Sequence, residues 1–157
     1  MTARILVAGL GNLFCTDDAF GVEVVRRLAA RSWPPGVEIQ DFGIRGIHLA
    51  YQLLEPYELV VLIDAVHRDA PPGTLYVIEA EPVEETAEAS MDAHDLSPDA
   101  VLSLVPQLGG TLGRVVVVGC EPADLDAGME LTPAVAGAVE QAATLVTELV
   151  LGVPEEV

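Results

Sequence analysis

The sequence predicts a three-layer α/β/α domain built on a five-stranded, mostly parallel sheet with one antiparallel edge strand, of the phosphorylase/hydrolase-like kind. Three observations predict it. Short apolar runs at residues 4–8, 59–63 and 114–119 read as buried parallel strands, with a further strand at 37–41. Segments of helical periodicity separate them. The connector 65–73 contains Pro71-Pro72 and is too short for a crossover helix, so the next run, 74–78, pairs antiparallel at an edge.

The elements follow in order. After the first strand, Thr16 and Asp17 are residue types that cap helices, and Asp18 falls in the first turn. The helix continues to about residue 31. Phe20, Val24 and Leu28 recur every fourth residue, with Val25 beside them, so one face is apolar. Trp33-Pro34-Pro35-Gly36 ends it. Gly43 and Gly46 form a turn after the second strand, and a short helix runs through Leu54. The third strand, Leu59-Val60-Val61-Leu62-Ile63, is wholly apolar and therefore central, and it stops at Asp64. Glu79, Glu81, Glu84, Glu85, Glu88, Asp92 and Asp95 mark a solvated acidic loop. Ser97-Pro98 opens a helix to about residue 108, closed by Gly109-Gly110. Thr132 and Pro133 start the last helix as cap and first residue, and Val135, Val139, Ala142, Val146 and Leu149 line one side of it. With right-handed crossovers, the first and third strands lie side by side. Their connections leave in opposite directions, which opens a crevice at the strand C-termini.

Length and composition fit one domain over residues 1–157. The chain is 51% hydrophobic with a mean hydropathy of +0.43. No run reaches the roughly 18 uninterrupted apolar residues of a membrane span. The N-terminal run lacks the pattern of a signal peptide, and the expected location is cytoplasmic. The formal net charge is −18, and all seven basic residues are arginine. Such a field disfavours nucleic acid and anionic membrane as partners. The lack of lysine excludes a phosphate-loop lysine, a Schiff base and a pyridoxal site. Two cysteines, Cys15 and Cys120, make no disulfide framework and no C-x-x-C pair. Neither G-x-S-x-G nor H-E-x-x-H occurs.

The chemistry gathers at the predicted crevice. Gly9-Leu10-Gly11 resembles a dinucleotide turn, yet Asp17 and Asp18 stand where a helix N-terminus would receive a phosphate. Two carboxylates there repel phosphate and attract a cation. Asp17 reads as the helix cap, which leaves Asp18 free for chemistry. Asp64 ends the neighbouring strand, and His94 precedes the helix beside the same sheet end. Asp18, Asp64 and His94 therefore make a three-ligand oxygen and nitrogen set, suited to Zn, Ni, Mn or Fe. Each has an ordinary structural explanation, as cap, turn or solvated side chain; their convergence is what singles them out. His48 and His67 receive no role.

Beyond these residues, Gly9-x-Gly11-Asn12-x-x-x-x-Asp17-Asp18-x-x-Gly21 resembles the opening signature of the nickel-iron hydrogenase maturation endopeptidases. Asp41-x-Gly43-x-x-Gly46 is similar to the family's glycine turn after strand two. Leu62-Ile63-Asp64-Ala65 resembles its acidic third-strand site, and His94 followed by Leu96 its histidine motif. Gly119-x-x-Pro122 and Leu131-Thr132-Pro133 are similar to features near the C-terminus. Cys15 departs from the pattern, in a slot usually filled by a non-thiol residue. A small buried side chain is the simplest reading of it and of Cys120.

The resemblance implies an aspartic-type endopeptidase that removes the C-terminal extension of a hydrogenase large-subunit precursor once nickel is inserted. It implies that Asp18, Asp64 and His94 are the metal-binding and catalytic positions. The nickel arrives with the substrate, and another divalent metal can occupy the site in vitro. The 41–46 turn, with Asp41, Gly43, Arg45 and Gly46, is expected to guide the substrate tail, although Arg45 also fits an ordinary exposed turn. Two other readings stand beside it, the first on the same three ligands and the second on Gly9-Leu10-Gly11. One is a nickel-sensing chaperone module without cleavage; the other is a nucleotide-binding transferase, which Asp17-Asp18 opposes.

Overall fold

The computed structural model describes residues 3–80 and 98–153. Strands β1 (Ile5–Leu10), β2 (Val37–Gly43), β3 (Leu59–Ala65), β4 (Leu75–Glu79) and β5 (Arg114–Cys120) form one sheet in the order β2-β1-β3-β5-β4. All pairs are parallel except β4 with β5. The antiparallel edge strand is thus the one expected from the short connector. β1 lies between β2 and β3, with Ile5 opposite Val37 on one side and Leu59 on the other.

Helices α1 (Phe20–Ala29), α2 (Gly46–Gln52), α3 (Pro98–Gln107), α4 (Pro133–Ala136) and α5 (Val139–Leu151) cover both faces. The strand period of two divides the core in half. Ile5, Val7, Val61, Ile63, Val116 and Val118 point to one face and pack against Phe20, Val24, Leu28, Val139, Ala142 and Val146. Leu6, Ala8, Leu10, Val60, Leu62 and Val117 point to the other and meet Leu49, Leu53, Val101, Leu102 and Val105. Residues 133–151 are long and apolar enough to cross a bilayer by composition alone. Their Val135, Val139, Ala142, Ala143 and Val146 are instead buried in the core.

Several local expectations are corrected. β1 runs two residues further than the apolar run, through Gly9 and Leu10, because both still pair with neighbours. The first helix starts at Phe20, later than caps at Thr16 and Asp17 imply. A 3-10 turn, Thr16–Ala19, precedes α1, and neither element has a side-chain cap. The last helix divides at Gly137 into α4 and α5. Pro133 does take the first helical position. Cys15 is only half-buried, whereas Cys120 is fully buried. Glu79 belongs to β4 and bonds Arg114 at 2.9 Å, so the strand reaches into what read as solvated loop.

Candidate active site

Close backbone approach positions the Asp17-Asp18 turn at the C-terminal ends of β1 and β3. A Cβ added at Gly21 would lie 2.1 Å from the Ile63 carbonyl oxygen and 2.5 Å from that of Leu10. At Gly9 it would lie 2.5 Å from the Gly21 oxygen. Gly11, at φ +133°, admits none either, since a Cβ would lie 1.8 Å from the Asp18 oxygen. Only glycine lets the start of α1 sit directly on the ends of both strands. The Asp17-Asp18 turn is thereby held over the end of β3, where Asp64 lies.

Asp64 is 7% exposed. One of its oxygens, Oδ1, accepts the Ala65 N–H at 2.8 Å. Burial pushes its pKa well above the ordinary carboxylate range, and the nearby Asp18 charge pushes it further. Asp18 is half-buried, and burial raises its pKa too, against the stabilising N–H of Asn12, which donates to Oδ2 at 3.0 Å. The structure therefore brings Asp18 and Asp64 into electrostatic contact. Among the described residues, one backbone N–H reaches each carboxylate, that of Ala65 on Asp64 and that of Asn12 on Asp18. Two carboxylates close enough to feel each other's charge supply the hard oxygen donors that a divalent cation takes. His94 lies outside the described residues. Among those described, no group of three His, Cys, Asp or Glu side chains is gathered to hold a metal.

Asp17 behaves differently from its expected role as a cap. It is fully buried, and its carboxylate reaches across the fold. It accepts the N–H groups of Ala123 (2.8 Å), Asp124 (3.0 Å) and Thr132 (2.8 Å), and the Thr132 hydroxyl at 2.8 Å. Burial alone would raise its pKa, yet these donors hold it below the usual range. Thr132 stands at the N-cap position of α4 but spends its hydroxyl on Asp17, so it caps nothing with its side chain.

The 41–46 turn flanks the same end of the sheet. The Asp41 carboxylate accepts the Gly43 N–H at 2.7 Å, and Gly43 takes φ +53°. The Gly43 carbonyl accepts the Gly11 N–H at 2.9 Å, which ties this turn to the first glycine motif. Arg45 is exposed but folds back, donating to the carbonyls of Asp41 (2.8 Å) and Phe42 (3.3 Å). Gly46 is buried at the start of α2.

Sequence reasoning missed Glu121. It is 1% exposed and accepts the N–H groups of Arg68 (2.8 Å) and Ala70 (3.1 Å), the Tyr76 hydroxyl (2.7 Å), and a bond with His67 Nδ1 (2.7 Å). Burial opposes its ionisation, but these partners prevail and bring its pKa down to about 2. It clamps the connector that leaves β3 just after Asp64. An acid directly after an apolar strand was the only signal available.

An α/β sheet whose switch point carries two neighbouring carboxylates in place of a phosphate cradle is a carboxylate-centred α/β domain. The family model described as hydrogenase maturation protease matches residues 22–149. The chain belongs to the hydrogenase maturation protease family. It is 31% identical over 149 residues to a putative hydrogenase maturation protease of Methanocaldococcus jannaschii, covering 94% of each chain. It is 33% identical over 140 residues to the hydrogenase 2 maturation protease of Escherichia coli, covering 88% of this chain and 85% of that one. It is 35% identical to the hydrogenase expression/formation protein HupD of Rhodobacter capsulatus, of whose length it spans 66%. Among solved structures, the hydrogenase maturating endopeptidase HybD from E. coli superposes with a TM-score of 0.81 at 31% identity, covering 98% of this chain and 95% of that one.

Proposed function

We propose that the chain is an endopeptidase that removes the C-terminal extension of a nickel-iron hydrogenase large-subunit precursor after nickel insertion, and that it reads the nickel its substrate carries. The observation that carries this reading is the Asp18–Asp64 pair, two carboxylates forced together at the crevice, each reached by one backbone N–H among the described residues. Membership of the family and the names of its relatives support the peptidase activity.

Nickel here belongs to the substrate. Asp18 and Asp64, joined by His94, would complete its open coordination positions. An arriving cation favours the ionised form of both acids and so opposes the burial that raises the pKa of Asp64. Hard ligands without thiolate hold a free ion modestly, which suits a site that inspects a metal delivered by a partner. Shared coordination fixes the scissile peptide in the crevice, and positioning of this kind supplies several kcal/mol, about 7 or more in well-oriented cases. The 41–46 turn, with Asp41, Gly43, Arg45 and Gly46, guides the tail; its tie to Gly11 supports that placement.

Co-expression with a precursor subunit, with and without nickel, tests the proposal. Wild type shortens the precursor only with nickel, and Asp18→Asn, Asp64→Asn and His94→Ala leave it full length. A precursor that binds wild type with nickel yet stays full length would instead mark a chaperone.

A further inference from the structure

Thr16 is a β-branched residue at φ +48°, a backbone region that favours glycine. It directly precedes Asp17 and Asp18. Such strain persists only where surrounding contacts over-determine it, and here those contacts come from one segment more than a hundred residues away. The Thr16 N–H donates to the Gly128 carbonyl at 3.0 Å, and its hydroxyl to the Asp126 carbonyl at 2.6 Å. The Gly128 N–H donates to the Phe14 carbonyl at 2.9 Å, and the Asp17 N–H to the Asp124 carbonyl at 3.0 Å. The buried Asp17 carboxylate then gathers the N–H groups of Ala123, Asp124 and Thr132. Gly128 is packed so closely that a Cβ would lie 2.7 Å from the Thr16 hydroxyl oxygen.

We propose that residues 123–132 are a brace for the active site: through Thr16, Asp17 and Gly128 they hold the strained turn that aims the Asp18 carboxylate at Asp64. Gly11 presses the Asp18 backbone from the opposite side. Asp17, Thr16 and Gly128 are thus positioning residues that touch neither substrate nor metal. This inference rests on the reading of Asp18 and Asp64 as the site.

The test uses the full chain and a nickel-loaded precursor, with three variants: Asp17→Asn, Gly128→Ala, and Gly128→Ala combined with Thr16→Ala. Amide hydrogen exchange, thermal midpoint, kcat and KM are read at a temperature where each variant is folded. Asp17→Asn and Gly128→Ala should speed exchange at Thr16 and Asp17 by about tenfold or more, with Val61 in β3 unchanged. Each should lower kcat by about tenfold or more with KM within about threefold, as a displacement of about 1 Å at a catalytic group does. Thr16→Ala also removes the hydroxyl that bonds the Asp126 carbonyl, so the double variant should lose at least as much kcat as Gly128→Ala alone. If Asp17→Asn does not fold, Gly128→Ala, in a partly exposed loop, decides alone. Faster exchange with unchanged kcat would overturn the brace, as would lost kcat with unchanged exchange. Asp64→Asn serves as control: full processing by it defeats the site reading, whereas its inactivity beside an unimpaired Gly128→Ala defeats only the brace.

Discussion

The Asp64 carboxyl is buried at the end of β3 with the Asp18 charge beside it, and both effects raise its pKa well above the ordinary range. In the metal-free protein, native Asp64 therefore holds its proton to higher pH than the unfolded chain does. The native state binds more protons across that window, so stability falls as pH rises from the ordinary Asp range through the raised Asp64 pKa. Asp18, raised in the same direction, adds to the slope. Asp64→Asn removes the buried charge and keeps an oxygen for the Ala65 N–H. It should raise Tm at neutral pH and flatten this slope while processing is lost. For a chain of this size each ~1 kcal/mol moves Tm by about 2–4 °C, which calorimetry across pH resolves. A lower Tm at pH 7 would contradict the buried-charge cost.

The glycines at the crevice differ in what surrounds them, and substitution should show it. Gly21→Ala drives a Cβ into the carbonyl oxygens of Ile63 and Leu10, where backbone must move. A loss of about 3 kcal/mol is expected, with processing impaired as Asp18 is levered from Asp64. Gly109 also has a positive φ, +85°, but nothing within 4 Å of its added Cβ. Gly109→Ala should cost only about 1–2 kcal/mol of backbone strain and leave kcat unchanged. Urea denaturation and precursor processing on both variants make the comparison.

Glu121 and His67 give the β3–β4 connector its own pH dependence. Glu121 has a lowered pKa, so its contribution is present above the ordinary Glu range and lost as pH falls toward about 2. His67 is raised by Glu121 first, then Asp69, so its contribution is complete below its ordinary value of about 6.5 and lost as pH rises through the raised value. The connector should be tightest between those limits. Hydrogen exchange at Arg68 and Ala70 should be slowest near pH 5–6, after correction for intrinsic rates, and His67→Gln should abolish the rise above neutrality. Because the imidazole is largely exposed, global Tm should move little.

Arg45 folds onto the carbonyls of Asp41 and Phe42 and is otherwise exposed. If the 41–46 turn guides the tail, Arg45→Ala should raise KM for the precursor by about threefold or more with kcat nearly unchanged, the pattern of lost uniform binding. Stability should change by less than about 1 kcal/mol.

The layers, the adjacency of β1 and β3 and the antiparallel edge were legible because each follows from local apolar runs and connector length. Asp18 and Asp64 were legible as neighbours because topology puts the ends of their strands together. Asp17 and Thr132 were not: a carboxylate in a first turn and a threonine before proline both read locally as caps. Their actual partnership spans 115 residues and joins side chains that no pattern links. Glu121 was hidden for a related reason, since its donors at Arg68 and Ala70 are backbone N–H groups, which every sequence carries. The Thr16–Ala19 turn escaped because its geometry is imposed by the 123–132 segment rather than by its own residues.

Intact-mass measurement on a purified, nickel-loaded large-subunit precursor, incubated with wild type or with Asp64→Asn, tests the two-carboxylate site most directly. The expected result is loss of the C-terminal extension with wild type and an unshortened precursor with the variant, both proteins being folded. Shortening by Asp64→Asn at the wild-type rate would contradict it.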